Sequence, residues 1–202
     1  MDIKFELKGI KAVQDMLDPK RFKKVVTRTL NKTASQANTA MSRKVREVYN
    51  IKAKDLRTKI RVFRANDGKL FAVIRVQDKQ GMPLLSFSAR QTRKGITYKV
   101  KKASGNKRVD GAFIATMESG HKGVFERYGE KVKPSRGKYT ARRFKRGPQQ
   151  GEPILRQSIQ ELFRIDAVGM VDQHGIMAIE QVIKEKMDDI FNHELGWEMS
   201  KG

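Results

Sequence analysis

The order of hydrophobic patterns along the chain predicts an α+β fold: a central antiparallel sheet packed with a long N-terminal helix and C-terminal helices, carrying an extended basic loop. Three observations predict it. Helical spacing of apolar and small residues persists from Phe22 to Val48, about seven turns. Short β-type segments separated by turn signals fill residues 61–127, and two helical patterns follow Pro153. The expected organisation is one domain over residues 1–202: an N-terminal strand and helices (1–60), a sheet (61–129), a basic loop (130–151) and C-terminal helices (152–202).

Taken in order, "DIKFEL" puts Ile3, Phe5 and Leu7 on one face of a short strand. Gly9 breaks it, and a short helical turn is expected to carry Val13, Met16 and Leu17. Asp18-Pro19 is a helix start, because proline costs nothing where the N–H has no helical partner. The stripe that follows is narrow and Ala/Thr-rich in its middle ("NKTASQANTAMS"), which suits close approach of a partner backbone. Both core packing and a subunit contact satisfy that pattern. A second short helix is expected in "IKAKDLRTKI" (51–60), and a hairpin of "RVFRA" and "KLFAVIRVQ" around "NDG", whose Asn and Gly tolerate positive φ. "MPLLSFSA" (82–89) and "GITYKVKK" (95–102) read as strands joined by the loop "RQTRK". "AFIATM" and "GVFER" read as a pair around "ESGHK". A helix is expected from Pro153 to about Val168, stopped at Gly169, then a last one capped by Asp172 and ended by Gly196.

Charge dominates the composition. The 44 Lys+Arg against 22 Asp+Glu give a formal net charge of +22. Residues 86–150 hold 18 basic and 4 acidic residues, whereas residues 151–202 hold 5 basic and 10 acidic. Such an excess attracts a polyanion, or marks a subunit neutralised by its neighbours, and the polarity suits complementary faces in a head-to-tail ring. Cysteine is absent, which excludes disulfides and thiolate chemistry and fits a soluble protein of a reducing compartment. "MDIKFELKGIK" lacks the apolar run of a signal peptide, and no stretch approaches the roughly 18 apolar residues of a membrane span.

The stretch "SGHKGVFERYGEK" (119–131) holds Gly120, Gly123 and Gly129, a spacing that is wrong for a P-loop and is followed by no helix. His121, His174 and His193 lack the spacing of a zinc helix, and the basic middle offers only Asp110, Glu118, Glu126 and Glu130 as metal-binding carboxylates. A metal-dependent nuclease is therefore a remote reading, Glu126 is expected to pair with a nearby cation, and neither catalytic residues nor a cofactor are expected. The segment "KVKPSRGKYTARRFKRG" is different. Lys131, Lys133, Arg136, Lys138, Arg142, Arg143, Lys145 and Arg146 stand in it without an acid, interleaved with Tyr139 and Phe144. These cations can neutralise phosphates and the aromatics can stack, so the segment is the candidate contact for DNA or for an acidic protein, sequence-blind if DNA.

"GAFIATMESGHKGVFERYGE" (111–130) resembles the signature of the phage minor tail protein Z family of lambda-like tails and prophages. The matching positions are Phe113, Ser119, Gly120, His121, Gly123, Val124, Phe125, Arg127 and Gly129. Helix, sheet, helix order and basic bias agree over most of the chain, although "ARRFKRGPQQGEPILRQSI" is more basic than the family's usual continuation and has its prolines elsewhere. The resemblance implies a non-enzymatic tail-completion protein at the head-proximal end of the tail, assembled in the host cytoplasm and retained in the virion. It implies a homo-oligomeric ring, most often a hexamer. Its expected neighbours are a tail terminator or tail tube protein, a head-completion or connector protein, the tape measure protein and the DNA end. Gly120 and Gly123 are then expected to turn the chain between two strands, and Gly129 to release it into the basic loop. The rival reading is a free-standing, sequence-nonspecific nucleic-acid-binding protein.

Overall fold

The computed structural model describes residues 1–7, 17–133 and 143–201. The turn expected at Val13 and Met16 lies outside them, as do Arg136, Lys138, Tyr139 and Arg142. The α+β class holds: the described residues include a long helix towards each end of the chain and nine strands in three antiparallel three-stranded sheets. The sheet is thus divided into three, not continuous. The chain forms two compact units, Met1–Met82 with Lys99–Gly105 and Arg164–Gly202, and Pro83–Tyr98 with Asn106–Phe163.

In the first unit, helix α1 (Pro19–Val48) starts where the sequence predicts. Asp18 Oδ1 accepts from the backbone N–H of Lys20 at 2.8 Å, occupying a donor that has no helical partner. Phe22, Val25, Val26, Thr29, Leu30, Thr33, Ala34, Ala37, Met41 and Val45 are buried, which is the predicted stripe. The Ala/Thr seam packs within the unit, chiefly along helix α4 (Ile176–Met199). Two carboxylates of α4, Glu194 and Glu198, are buried there and meet cations of α1. Lys32 donates to Glu194, and Arg28 Nη1 reaches Glu198 Oε2 at 2.8 Å. Part of the acidic tail is therefore neutralised inside the chain. The same unit holds α2 (Ala53–Arg57) and a sheet of β1 (Asp2–Phe5), β2 (Ile60–Phe63) and β3 (Ala72–Val76), ordered β1-β3-β2. The β2–β3 hairpin turns at Asn66, whose Oδ1 accepts from the Gly68 N–H at 3.1 Å. Ala72, Ile74 and Val76 of the central strand are buried.

The C-terminal helices differ from expectation. Residues 156–161 form strand β9 (Arg156–Glu161) where a helix was expected. Gly169 does not stop a helix. Asp166 caps helix α3 (Ala167–His174) by accepting from the Gly169 N–H at 2.5 Å, so this glycine lies in the first turn and Asp172 inside the helix. The break comes at Gly175, and α4 runs through Gly196 to Met199.

The second unit is all short elements. Pro83 opens a 3₁₀ turn, Leu84–Phe87, in place of the expected strand; Leu84 and Phe87 are both fully buried, three residues apart on one face. Strands β4 (Arg90–Thr92), β5 (Gly95–Tyr98) and β6 (Lys107–Asp110) form one sheet, so "RQT" is strand rather than loop. Strands β7 (Phe113–Thr116) and β8 (Lys122–Val132) form the other with β9, in the order β7-β8-β9.

Candidate functional site

The hairpin predicted around "ESGHK" is present. Phe113 pairs with Phe125 and Thr116 with Lys122, and the turn closes with Met117 N–H donating to the His121 carbonyl at 2.7 Å. Gly120 adopts φ +82°, which an L side chain resists, while Ser119 beside it is exposed. Gly123 has a different task from the expected one. It lies inside β8, and a Cβ there would stand 2.5 Å from Glu161 Oε1. The small residue lets the neighbouring strand's carboxylate lie against the β8 backbone. His121 Nε2 sits 2.9 Å from Glu161 Oε2, and its ring meets Phe125 edge-on at 6.4 Å. Arg127 stacks over Phe113 with its guanidinium carbon 4.6 Å from the ring centroid.

Gly129 does not release the chain into a loop. It takes φ +72° where the β8–β9 register shifts between Tyr128/Ser158 and Val132/Arg156, and its carbonyl accepts from Gln157 Nε2 at 2.8 Å. The shift is a bulge that gives β8 extra residues relative to β9, and β8 continues to Val132. Strand β7 pairs with β8 only as far as Phe125. Beyond it β8 and β9 run on as a two-stranded ribbon in which every β8 residue from Arg127 is exposed. Tyr128, Val132, Leu155 and Ile159 expose large apolar side chains on it.

Of the eight candidate cations, Lys131 and Lys133 sit at the end of this ribbon and Arg143, Lys145 and Arg146 follow, all exposed. Arg143 Nη1 donates to the Gly151 carbonyl at 2.7 Å, the Phe144 N–H donates to the Glu152 carbonyl and the Gly151 N–H to the Phe144 carbonyl, folding 143–153 back on itself. Lys131, Lys133 and Phe144 thereby line one groove of about 460 Å³ with Glu152 and Leu155. Arg136, Lys138 and Arg142 lie outside the described residues. Glu126 differs from expectation, since its Oε1 accepts from the amide of Gln160 rather than from a nearby cation. Among the described residues, no group of three or more His, Asp or Glu side chains is placed to hold a metal ion.

Sequence reading missed Glu161 and Glu152. Both lie in the segment expected to start the C-terminal helices, and only the long-range pairing of β9 with β8 brings Glu161 to His121. The glycine pattern held the one usable signal, since a glycine inside a strand marks a close approach.

The motif thus has a physical reason at nearly every position. A family model described as prophage minor tail protein Z matches residues 7–141, two thirds of the chain and the whole of this hairpin. The chain belongs to the minor tail protein Z family. Membership makes it a structural component of the phage tail and a protein of the virion. No curated protein and no solved structure shows significant similarity to the chain.

Proposed function

We propose that this minor tail protein is a tail-completion subunit, one copy in a homo-oligomeric neck ring at the head-proximal end of the tail. Residues 1–202 act as one tail-completion domain, and the ring has six copies. On one side it meets the tail terminator or tail tube protein, on the other the head-completion or connector protein, with the tape measure protein and the DNA end inside. It joins tail to head and positions the DNA end for ejection, without catalysis and without a cofactor.

One observation carries the reading. Beyond Phe125 the β8–β9 ribbon has no β7 beside it, and it exposes Tyr128 and Val132 along the same strand as Lys131, and Ile159 across from Arg127. Exposed apolar surface of this kind, rimmed by charge, suits a protein interface. Arg143, Lys145 and Arg146 are exposed in the same unit, and with Lys131, Lys133, Arg136, Lys138 and Arg142 they are the proposed contact to an acidic neighbour or to DNA.

Cryo-electron microscopy of intact particles tests this. The expected map has the chain in a closed ring between tail tube and connector, with the ribbon at a subunit boundary. A single copy, or a position at the distal tip, would overturn it.

A further inference from the structure

In the first unit, a cavity of about 160 Å³ opens between α1, α2 and the start of β2. Its walls carry Asn38, Ser42 and Arg46 from successive turns of α1 and Arg57 from α2, over a floor of Ala53 and Ile60. Thr39 also lines it, but its hydroxyl already donates to the Ser35 carbonyl at 3.0 Å. Arg46 Nε is occupied by the Ser42 carbonyl at 3.2 Å, which orients the guanidinium and leaves its two terminal nitrogens as donors. Arg57 has no hydrogen-bond or ion-pair partner among the described residues, and Asn38 Oδ1 is buried without one.

The surroundings have the same sign. Arg43, Lys52, Lys54 and Arg61 are exposed within the same stretch of chain. The acids nearby are mostly spent: Glu47 pairs with Lys44 at 3.2 Å, and buried Asp78 pairs with Lys59 at 2.8 Å. Asp55 remains on α2, and it does not line the cavity.

We infer that this cavity is a binding site for a tetrahedral phosphate group, as free phosphate or as a phosphodiester of a nucleic-acid backbone. Guanidinium forks match phosphate oxygens, and such charge-assisted bonds are about twice as strong as neutral ones. Two guanidiniums on different elements, with the Ser42 hydroxyl on the same wall as Arg46, offer donors from several directions. That suits four tetrahedral oxygens better than a planar carboxylate, which one fork satisfies. The site shares no residue with the hairpin or the basic segment, and goes beyond the tail-completion reading.

The test is titration of the full-length protein with inorganic phosphate, followed by calorimetry and amide chemical shifts, then with a 20-base-pair duplex across a salt series. Saturable one-to-one phosphate binding is expected, with shifts confined to the cavity's elements. R46Q and R57Q should each weaken it by about tenfold or more. R57K, which keeps the charge and loses the fork, should weaken it less, and the K23Q/K184Q pair, exposed cations outside the cavity and outside the basic segment, should leave it unchanged. Because Arg57 is exposed on a short helix, R57Q remains informative if R46Q fails to fold. A duplex salt slope reduced by up to about 0.9 for each lost contact identifies the nucleic-acid backbone as the source. An unchanged slope with phosphate binding lost identifies a free or terminal phosphate. The proposal is overturned if phosphate does not saturate, if R57Q binds it like the parent, or if the variants lose only acetate or polyglutamate binding.

Discussion

His121 Nε2 stands 2.9 Å from Glu161 Oε2, although forty residues separate them in the chain. The other oxygen of Glu161 is buried with no hydrogen-bond partner among the described residues, and it lies 2.5 Å from where a Cβ on residue 123 would be. Histidine, carboxylate and glycine are therefore one packing unit. Its two halves should respond differently to mutation. His121 is half exposed, so His121→Ala removes an exposed pair worth about 0–1 kcal/mol. Gly123→Ala forces the carboxylate toward Phe125, whose ring is itself 3.1 Å from the new Cβ, and should cost about 1–3 kcal/mol in denaturant unfolding. Glu161→Ala should recover part of that loss. Equal stability of Gly123→Ala and the parent would remove the packing argument.

How much of this was legible depends on the range of the forces involved. Asp18, Pro19 and the stripe from Phe22 to Val45 define α1 locally, and the structure follows them. The turn at Asn66 and the hairpin at Gly120 are equally local. Strand β9 was not legible. Leu155, Ile159 and Leu162 have near-helical spacing, and "RQSIQE" shows no apolar alternation because most of its side chains are exposed. What makes it a strand is the edge of β8, a long-range partner that overrides local pattern. The same pairing places Glu161, so the central contact of the site was hidden with it. The phosphate cavity was hidden for a related reason. Arg46 and Arg57 are unremarkable in a basic sequence until α1 and α2 are folded against each other.

Two threonines on α1 make a controlled comparison. Both Thr29 and Thr33 are fully buried, but Thr29 Oγ1 donates to the Val25 carbonyl at 2.9 Å while Thr33 Oγ1 has no partner among the described residues. An unpaired buried hydroxyl costs about 1–3 kcal/mol, and valine keeps its shape and branching. Thr33→Val should therefore stabilise by about 1 kcal/mol, raising Tm by roughly 2–4 °C for a chain of this size. Thr29→Val should be neutral or destabilising. Calorimetry of the two variants settles the ranking, and a Thr33→Val protein that melts below the parent would contradict it.

The helix pair should also set the acid limit of stability. Burial pushes the Glu198 carboxyl up, but the hydrogen bond and charge of Arg28, with Lys201 and Lys24, outweigh it and leave it below the ordinary 4.5. Asp2 is likewise held low, first by its hydrogen bond from Arg75. A carboxylate with a depressed folded pKa binds fewer protons in the folded than in the unfolded state. Its contribution is complete above the unfolded value and is lost as pH falls through the folded one. Stability should hold from neutral pH down to about 4.5 and decline below it. Glu198→Gln should flatten that decline. An unchanged slope in acid titrations followed by circular dichroism would show that the α1–α4 contact does not govern it.

The last prediction concerns the basic segment. Neutralising Arg142, Arg143, Lys145 and Arg146 together removes four of its eight cations without touching a buried residue of the sheets. Arg143 also gives up its bond to the Gly151 carbonyl, so the groove beside Phe144 should loosen while the unit's strands persist. Two partners make opposite demands on the result. If the segment meets DNA phosphates, binding should weaken alike for all sequences, and the slope of log K against log salt should fall by up to about 0.9 per lost contact on duplex, or about 0.7 on single strands. Particles should then assemble but retain or eject DNA poorly. If it docks on an acidic tail or connector protein, free heads and free tails should accumulate and the DNA slope should not change. Docking is the expected outcome, because the ribbon beside these cations also exposes Tyr128, Val132 and Ile159, and apolar side chains gain more against protein than against a phosphate backbone. Normal joining of heads and tails together with an unchanged salt slope would defeat both versions and leave these cations as solvated surface.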